Sequence, residues 1–400
     1  MATVSEGTSE PAQITFRPTG AGKTSSNQAD LHLGKIRITA LALALLRPAS
    51  FVNFDTVTGS ILLLQLKRLG DLILSTAAFS ALRKLAPDAR ITLLIDDYSR
   101  ELIPAISSVD EVWTYDRRNS FNLWARLIQQ NFDVCLDFTG NDRSALIAFL
   151  SKASRRIGFS FLARRAIRSW VYTDLVPSSV RERHTIDHYL DLVRSLGKVE
   201  PEPVPWLDIP PGVLSSANLL RKELSIEERY FVVHPGAARP EKYWAPDRWR
   251  AVIKYVWQAH KIPCLLTGGS DSQELKHVRA IQNGLGASCP SFSLAGRIDF
   301  LMTMAMISQA QLFLGVDTAA AHAASLFQRP ELVLFGPTNP FHWLPRHPSG
   351  RVVRAGFGYP YRANQPREQG HPMSELSTET VIHAMEDLLK DFDQQGKEGH

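Results

Sequence analysis

The sequence predicts an α/β protein built from two consecutive doubly wound domains facing across a cleft. Three observations carry this. From Ser60 onward, short apolar runs of strand length alternate with amphipathic helical stretches. The alternation restarts after a proline-rich stretch near residue 200. Four of the apolar runs lead into turns carrying Gly, Asp, Lys or His just where a helix opens, the place where open parallel sheets hold ligands.

The elements follow in order. Residues 1–35 are rich in Ser, Thr, Gly, Ala and Gln without apolar periodicity and are expected as a disordered tail. The GKT at Gly22–Thr24 is no P-loop, since no strand precedes it. Within 36–58 the run IRITALALALL stops at Arg47-Pro48, too short to span a bilayer. A short helix packed on the main body or lying on a membrane surface both fit, and packing is the favoured reading. Residues 59–198 form the first domain. SILLLQL reads as a strand, GDLILSTAAFSALRKL as a helix with Leu74, Ala78, Ala81, Leu82 and Leu85 on one stripe, and ARITLLID as a strand. EVWTYD, FNLWARLIQQ, FDVCLDF, SALIAFLSKA and RRIGFS continue the scheme, with a further helix near His184–Leu196. Residues 199–228 open with five prolines in VEPEPVPWLDIPPG and are expected as a linker. The second domain, 229–374, repeats strand and helix from RYFVVHPG through PELVLFG. A last helix over 375–392 is expected to cross back to the first domain, and 393–400 to fray.

Composition narrows the class without deciding it. The net charge of +5 leans toward anionic partners. Cys135, Cys264 and Cys289 are too few and scattered for a disulfide framework or metal cluster, and the chain suits a reducing, cytoplasmic compartment.

The turns carry the chemistry. In GVDTAAAH, Thr318 and His322 stand four apart on one helical face beside Asp317, at a helix start whose free N–H groups suit a phosphate. In LKRLGDLILS, Asp71 stands at or beside a helix N-cap, where spacing alone favours a capping role and a general base facing the cleft is the alternative. Lys242 in HPGAARPEKYWAP supplies a point charge for a diphosphate, or is a solvated loop lysine. In LLTGGSDSQE, Gly268 and Gly269 allow close backbone approach, and Glu274 is placed to reach a ribose hydroxyl. Arg143, Arg155, Arg156, Arg164, Arg165 and Arg168, with Lys152, form a basic cluster that is either a solvated face or a site for anionic groups.

Taken together, VHPGAARPEKYWAPDRW, GVDTAAAH with LFGPTNPFHW, and ILLLQLKRLGDLILSTAAFSALRKLAPDARITLLID resemble glycosyltransferase family 9, the lipopolysaccharide heptosyltransferases. DFTGNDRSALIAFLSKASRRIGFS is similar to the family's middle segment, so the resemblance covers about residues 60–390 in order. It implies the GT-B fold of two Rossmann-like domains, the C-terminal one holding the nucleotide sugar and the N-terminal one the acceptor. It implies inversion at the anomeric carbon, no metal and no cofactor. By position it makes Asp71 the catalytic base and Lys242 the diphosphate lysine. Asp317, Thr318, Ala319 and His322 become the phosphate and donor-sugar loop, and Glu274 the ribose-binding acid. Ala319 departs from the family, where glycine is common.

The resulting expectation is transfer of heptose from ADP-heptose onto an anionic lipopolysaccharide core acceptor, with Arg143, Arg155 and Arg156 on the acceptor side and peripheral contact at the inner membrane surface. The same chemistry with another nucleotide sugar or glycan (O-antigen, capsule) is the nearest alternative, and a non-catalytic nucleotide-sugar or glycan binder the next. No nucleic-acid motif accompanies the basic balance.

Overall fold

Residues Ser60–Gln65 (β1) form a strand whose Ile61–Leu64 are wholly buried, as expected of a parallel strand covered on both faces. The computed structural model describes residues 59–398, apart from 165–167, 169, 202, 227–228 and 363–364. The expected tail 1–35 and apolar stretch 36–58 lie outside the described residues.

The first sheet continues through β2 (Arg90–Asp96), β3 (Glu111–Tyr115), β4 (Val134–Asp137), β5 (Arg155–Phe159) and β6 (Asp174–Val176). Its helices are α1 (Leu69–Leu85), α2 (Phe121–Gln129), α3 (Asp142–Leu150) and α4 (Thr185–Arg194). The strand order is β3-β2-β1-β4-β5-β6, every pair parallel, and β1 lies in register with β2 at Ser60↔Arg90 and with β4 at Ile61↔Val134.

The second half repeats the scheme after α5 (Pro211–Glu223) with β7 (Phe231–His234), α6 (Pro246–His260), β8 (Cys264–Leu266), α7 (Ser272–Asn283), β9 (Ser291–Ser293), α8 (Phe300–Gln309), β10 (Leu312–Val316), α9 (Ala319–Leu326), β11 (Glu331–Phe335), β12 (Gly350–Arg354) and α10 (Thr378–Glu398). Its order, β12-β11-β10-β7-β8-β9, has the same topology as the first sheet. In each sheet the strand order reverses beside the first strand, between β1 and β4 and between β7 and β10. The loops leaving those strands are therefore where a crevice opens.

Two expectations about the connections are corrected. The stretch 199–228 is not only a linker: α5 occupies its second half, opened by Pro211, whose missing N–H costs nothing in a first turn. Val213, Ala217, Leu220 and Leu224 make the stripe that packs it against the main core. The last helix, α10, does not cross back. Its Val381, Ala384, Met385, Leu388 and Leu389 close the second domain's own core with Trp249 and Ile253 of α6, Trp244 in the loop before that helix, and β7. It also runs through Glu398, past the expected fraying point.

α1 is more enclosed than its single stripe predicts, with Leu72, Ile73, Ala77 and Phe79 buried beside the stripe residues. The reason is tertiary: the helix is covered by α4 on one side and by α9 of the other half on another. One apolar cluster thus runs from α1 and α4 through to α8 and α9 and joins the halves. Polar ties reinforce it. His184 Nε2 donates to the Leu344 carbonyl at 3.0 Å, Arg346 pairs with Asp187 at 2.5 Å, and Glu101 accepts from the Phe300 N–H at 2.9 Å.

Candidate active site

The loops after β1, β7, β8 and β10 converge on one cavity of about 650 Å³ between the two sheets. Asp71 enters from the first half; Lys242, Gly269, Glu274, Asp317, Thr318, Ala319 and His322 enter from the second. Gly268 precedes Gly269 in the same turn, and a Cβ there would stand 3.0 Å from Glu274 Oε1.

Asp71 is not the N-cap of α1. The helix begins at Leu69, and its capping position, Arg68, makes no side-chain cap. The carboxylate instead accepts a 2.5 Å hydrogen bond from Tyr189 Oη of α4. Lys67 Nζ stands 3.5 Å from that same hydroxyl and 5.2 Å over the ring. Burial pushes the Lys67 ammonium down, while Asp71 and Asp137 hold it up. Gly70 has a plain steric reason: a Cβ there would lie 2.9 Å from His322 Cδ2, so glycine lets α1 and α9 approach across the cleft.

The opposite wall is a charge cluster. Lys242 Nζ donates to both the carbonyl oxygen and Oδ2 of Asp317, each at 2.7 Å, and Thr338 Oγ1 donates to the same Oδ2 at 2.8 Å. The lysine and aspartate side chains are 13% and 6% exposed, so the pair is anchored inside the wall and is not a solvated surface bridge. Thr318 caps α9 with extended backbone but no side-chain cap, its hydroxyl turning back to Val316 O at 3.3 Å. The first N–H groups of α9 are left for whatever enters the cavity, beside Ala319 and Ala320. Ala319 sits in ordinary right-handed helix, a conformation that alanine adopts as readily as glycine.

Glu274 is 7% exposed and accepts from the Gly269 N–H at 2.8 Å. It packs so closely on Gly236 that a Cβ there would lie 2.3 Å from Glu274 Cγ. His234, at the end of β7, bonds Thr267 Oγ1 at 3.0 Å and faces Glu274 Oε1 at 3.7 Å. Burial lowers its pKa against the pull of Glu274. Burial likewise holds His322 below its usual value, opposed by Asp317 and Asp71 and aided by Lys242.

The arginines divide. Arg143 opens α3 at the carboxyl end of β4, pairs with Asp96 at 3.6 Å and lies over Tyr115 at 5.1 Å. The structure does not bring Arg155 and Arg156 to the cleft. Both start β5, at the opposite end of the sheet. Arg155 is forked onto Asp174 at 3.1 Å, and Arg156 is spent on the Val171 and Ala153 carbonyls. Arg168 is tied to Asp142 and Lys152 to the Ile128 carbonyl, while Arg165 and the side chain of Arg164 lie outside the described residues. The cavity adds residues the sequence reading passed over: Arg68, Tyr98, His234, Arg239, Thr338 and Trp343. Of these only His234 carried a local signal, standing at the end of its strand before Pro-Gly.

Two parallel sheets of identical order, facing one cavity with an acid on one wall and a cation with a helix start on the other, make up the GT-B architecture. The glycosyltransferase family 9 (heptosyltransferase) profile matches residues 120–371, and the chain belongs to that family. It is 28% identical to lipopolysaccharide heptosyltransferase 3 of Escherichia coli over 340 residues, 80% of this chain and 96% of that one. Among solved structures, a family 9 glycosyltransferase from Veillonella parvula superposes with a TM-score of 0.72 at 21% identity, covering 87% of this chain and 99% of its own. The E. coli heptosyltransferase WaaC with ADP superposes at 0.62 and 18%, covering 83% and 98%. No helix among the described residues is long and apolar enough to cross a membrane.

Proposed function

We propose that the protein transfers heptose from ADP-heptose to a lipopolysaccharide core sugar, with inversion at the anomeric carbon. One observation carries the reading: Asp71 and the Lys242–Asp317 pair line a single cavity from opposite sheets. The names of the sequence relatives and the ADP held by WaaC support the donor and the acceptor class.

Asp71 takes the proton of the acceptor hydroxyl as that oxygen attacks the anomeric carbon from the face opposite the diphosphate. As the sugar–phosphate bond breaks, negative charge grows on the leaving diphosphate. Lys242 and the uncapped start of α9 meet that charge, already in place and shielded from bulk water. Such preorganised contacts make a bound metal ion unnecessary, and turnover should survive chelators. Glu274 and the Gly268–Gly269 turn hold the ribose side. Neutral His322, packed under Gly70, takes the donor sugar. Exposed Arg68, which lines the cavity, faces an anionic acceptor, and Arg143 stands on Asp96 at the carboxyl end of the same sheet. A glycolipid acceptor places the enzyme in peripheral contact with the cytoplasmic membrane surface.

The test is nucleotide release from a panel of ADP-, GDP-, UDP- and dTDP-sugars, with and without core oligosaccharide, for the wild type and Asp71→Asn. Acceptor-dependent release from ADP-heptose alone, abolished in Asp71→Asn with ADP binding intact, is expected. Release from a different donor would move the enzyme to another glycan, and full turnover by Asp71→Asn would remove the base.

A further inference from the structure

A carboxylate that acts as a base must present one oxygen to the acceptor in a fixed direction, and helix capping does not fix Asp71. We propose that Tyr189 is the positioning residue for Asp71, clamping Oδ1 so that Oδ2 faces the acceptor hydroxyl. This rests on the reading of Asp71 as base.

The clamp is built into the packing of α4 along α1. The Tyr189 ring is 1% exposed and lies edge-on to Phe138 at 5.9 Å, which is itself edge-on to Phe79 at 5.5 Å. Held there, the phenol points its hydroxyl at Asp71 Oδ1, 2.5 Å away. Lys67 Nζ and the buried Gln65 amide face the same hydroxyl from the end of β1, so the donor is enclosed on the side away from the cavity. Oδ2 accepts no hydrogen bond among the described residues, while Asp71 itself lines the cavity.

Tyr189 orients and does not relay. Burial and the Asp71 charge raise its phenol well above the ordinary value, so the proton stays on the ring oxygen throughout the cycle. The proton lost by the acceptor therefore ends on Asp71. An isolated buried tyrosine would serve the core equally well as phenylalanine; the bond to the cavity acid is what requires the hydroxyl.

Tyr189→Phe keeps the ring and removes only that bond. The full-length variant is compared with wild type and Asp71→Asn by four readouts: kcat and acceptor KM in the nucleotide-release assay, ADP affinity, and thermal midpoint. We expect the midpoint and ADP affinity of Tyr189→Phe to stay near wild type. Its kcat should fall about tenfold, the rate equivalent of one charge-assisted hydrogen bond. The acceptor KM should stay near wild type, because the bond orients the base and does not hold the acceptor. An unchanged kcat overturns the clamp. So does a fall in kcat that comes with a lowered midpoint and weakened ADP binding, which is what a purely structural tyrosine would give. If Asp71→Asn turns over like wild type, the base reading itself has failed, whatever Tyr189→Phe does.

Discussion

Replacing Lys242 by methionine separates the two tasks the structure gives this lysine. In the fold it neutralises Asp317; in turnover it would meet the leaving diphosphate. At 2.7 Å the gross attraction between the two charges is about 6 kcal/mol for an effective dielectric near 20. Most of that is offset by desolvation, but losing one partner strands the other. Asp317 would keep Thr338 as its only side-chain donor among the described residues. Breaking a buried pair costs about 3–5 kcal/mol, and water entering the cavity should hold the loss to about 3. For a folded unit of this size that lowers the thermal midpoint by about 4 °C. The catalytic loss should be separate and larger in rate, on the order of a hundredfold or more in kcat/KM. The decisive variant is Lys242→Met/Asp317→Asn, assayed by thermal unfolding and nucleotide release. Removing both charges should return most of the lost stability while activity stays low. Recovery of activity along with stability would mean that Lys242 serves only to neutralise Asp317, and the leaving-group role would be refuted.

Two further outcomes follow from the interdomain contact. His184 accepts from the Ile186 N–H at Nδ1 and donates from Nε2 to Leu344 O, so it is held neutral, its pKa lowered to about 3 chiefly by burial and then by Arg346. A folded value below the unfolded 6.5 means that the unfolded chain binds the extra proton. Stability is therefore full above pH 6.5 and falls as pH drops toward 3, by at most about 1.4 kcal/mol per pH unit for this group. Urea midpoints from pH 7 to 4 should fall more steeply for wild type than for His184→Asn; parallel curves would refute it. Gly70→Ala gains helix propensity of up to about 1 kcal/mol yet sets a methyl 2.9 Å from the His322 ring. We expect a folded protein with weakened donor binding by calorimetry, and unchanged affinity would show that the close approach is dispensable.

The strands that line the centre of both sheets were legible because a buried parallel strand is a continuous apolar run, as in SILLLQ and FLGV. The short edge strands β6, β9 and β12 were not: three to five residues with half-buried faces carry too little pattern. The α5 stripe was present in the sequence but masked by the prolines before it. The four turns were found because Gly, Asp and Lys at a strand end have few other reasons to cluster. Tyr189 was not, since a tyrosine in a helix of apolar spacing reads as core, and nothing local marks its hydroxyl.

By itself, then, the sequence determined two doubly wound halves, the turns that face the cleft and the family to which the chain belongs. These depend on local periodicity and on residue types at strand ends. The tertiary structure alone decided which of the candidate side chains meet. It turned Asp71 from a cap into a clamped acid, joined Lys242 to Asp317, placed Arg155 and Arg156 at the far end of their sheet, and kept α10 on the second domain. Each of those outcomes depends on what distant segments bring together, by hydrogen bonds and ion pairs within about 3 Å for the polar groups and by apolar packing for α10.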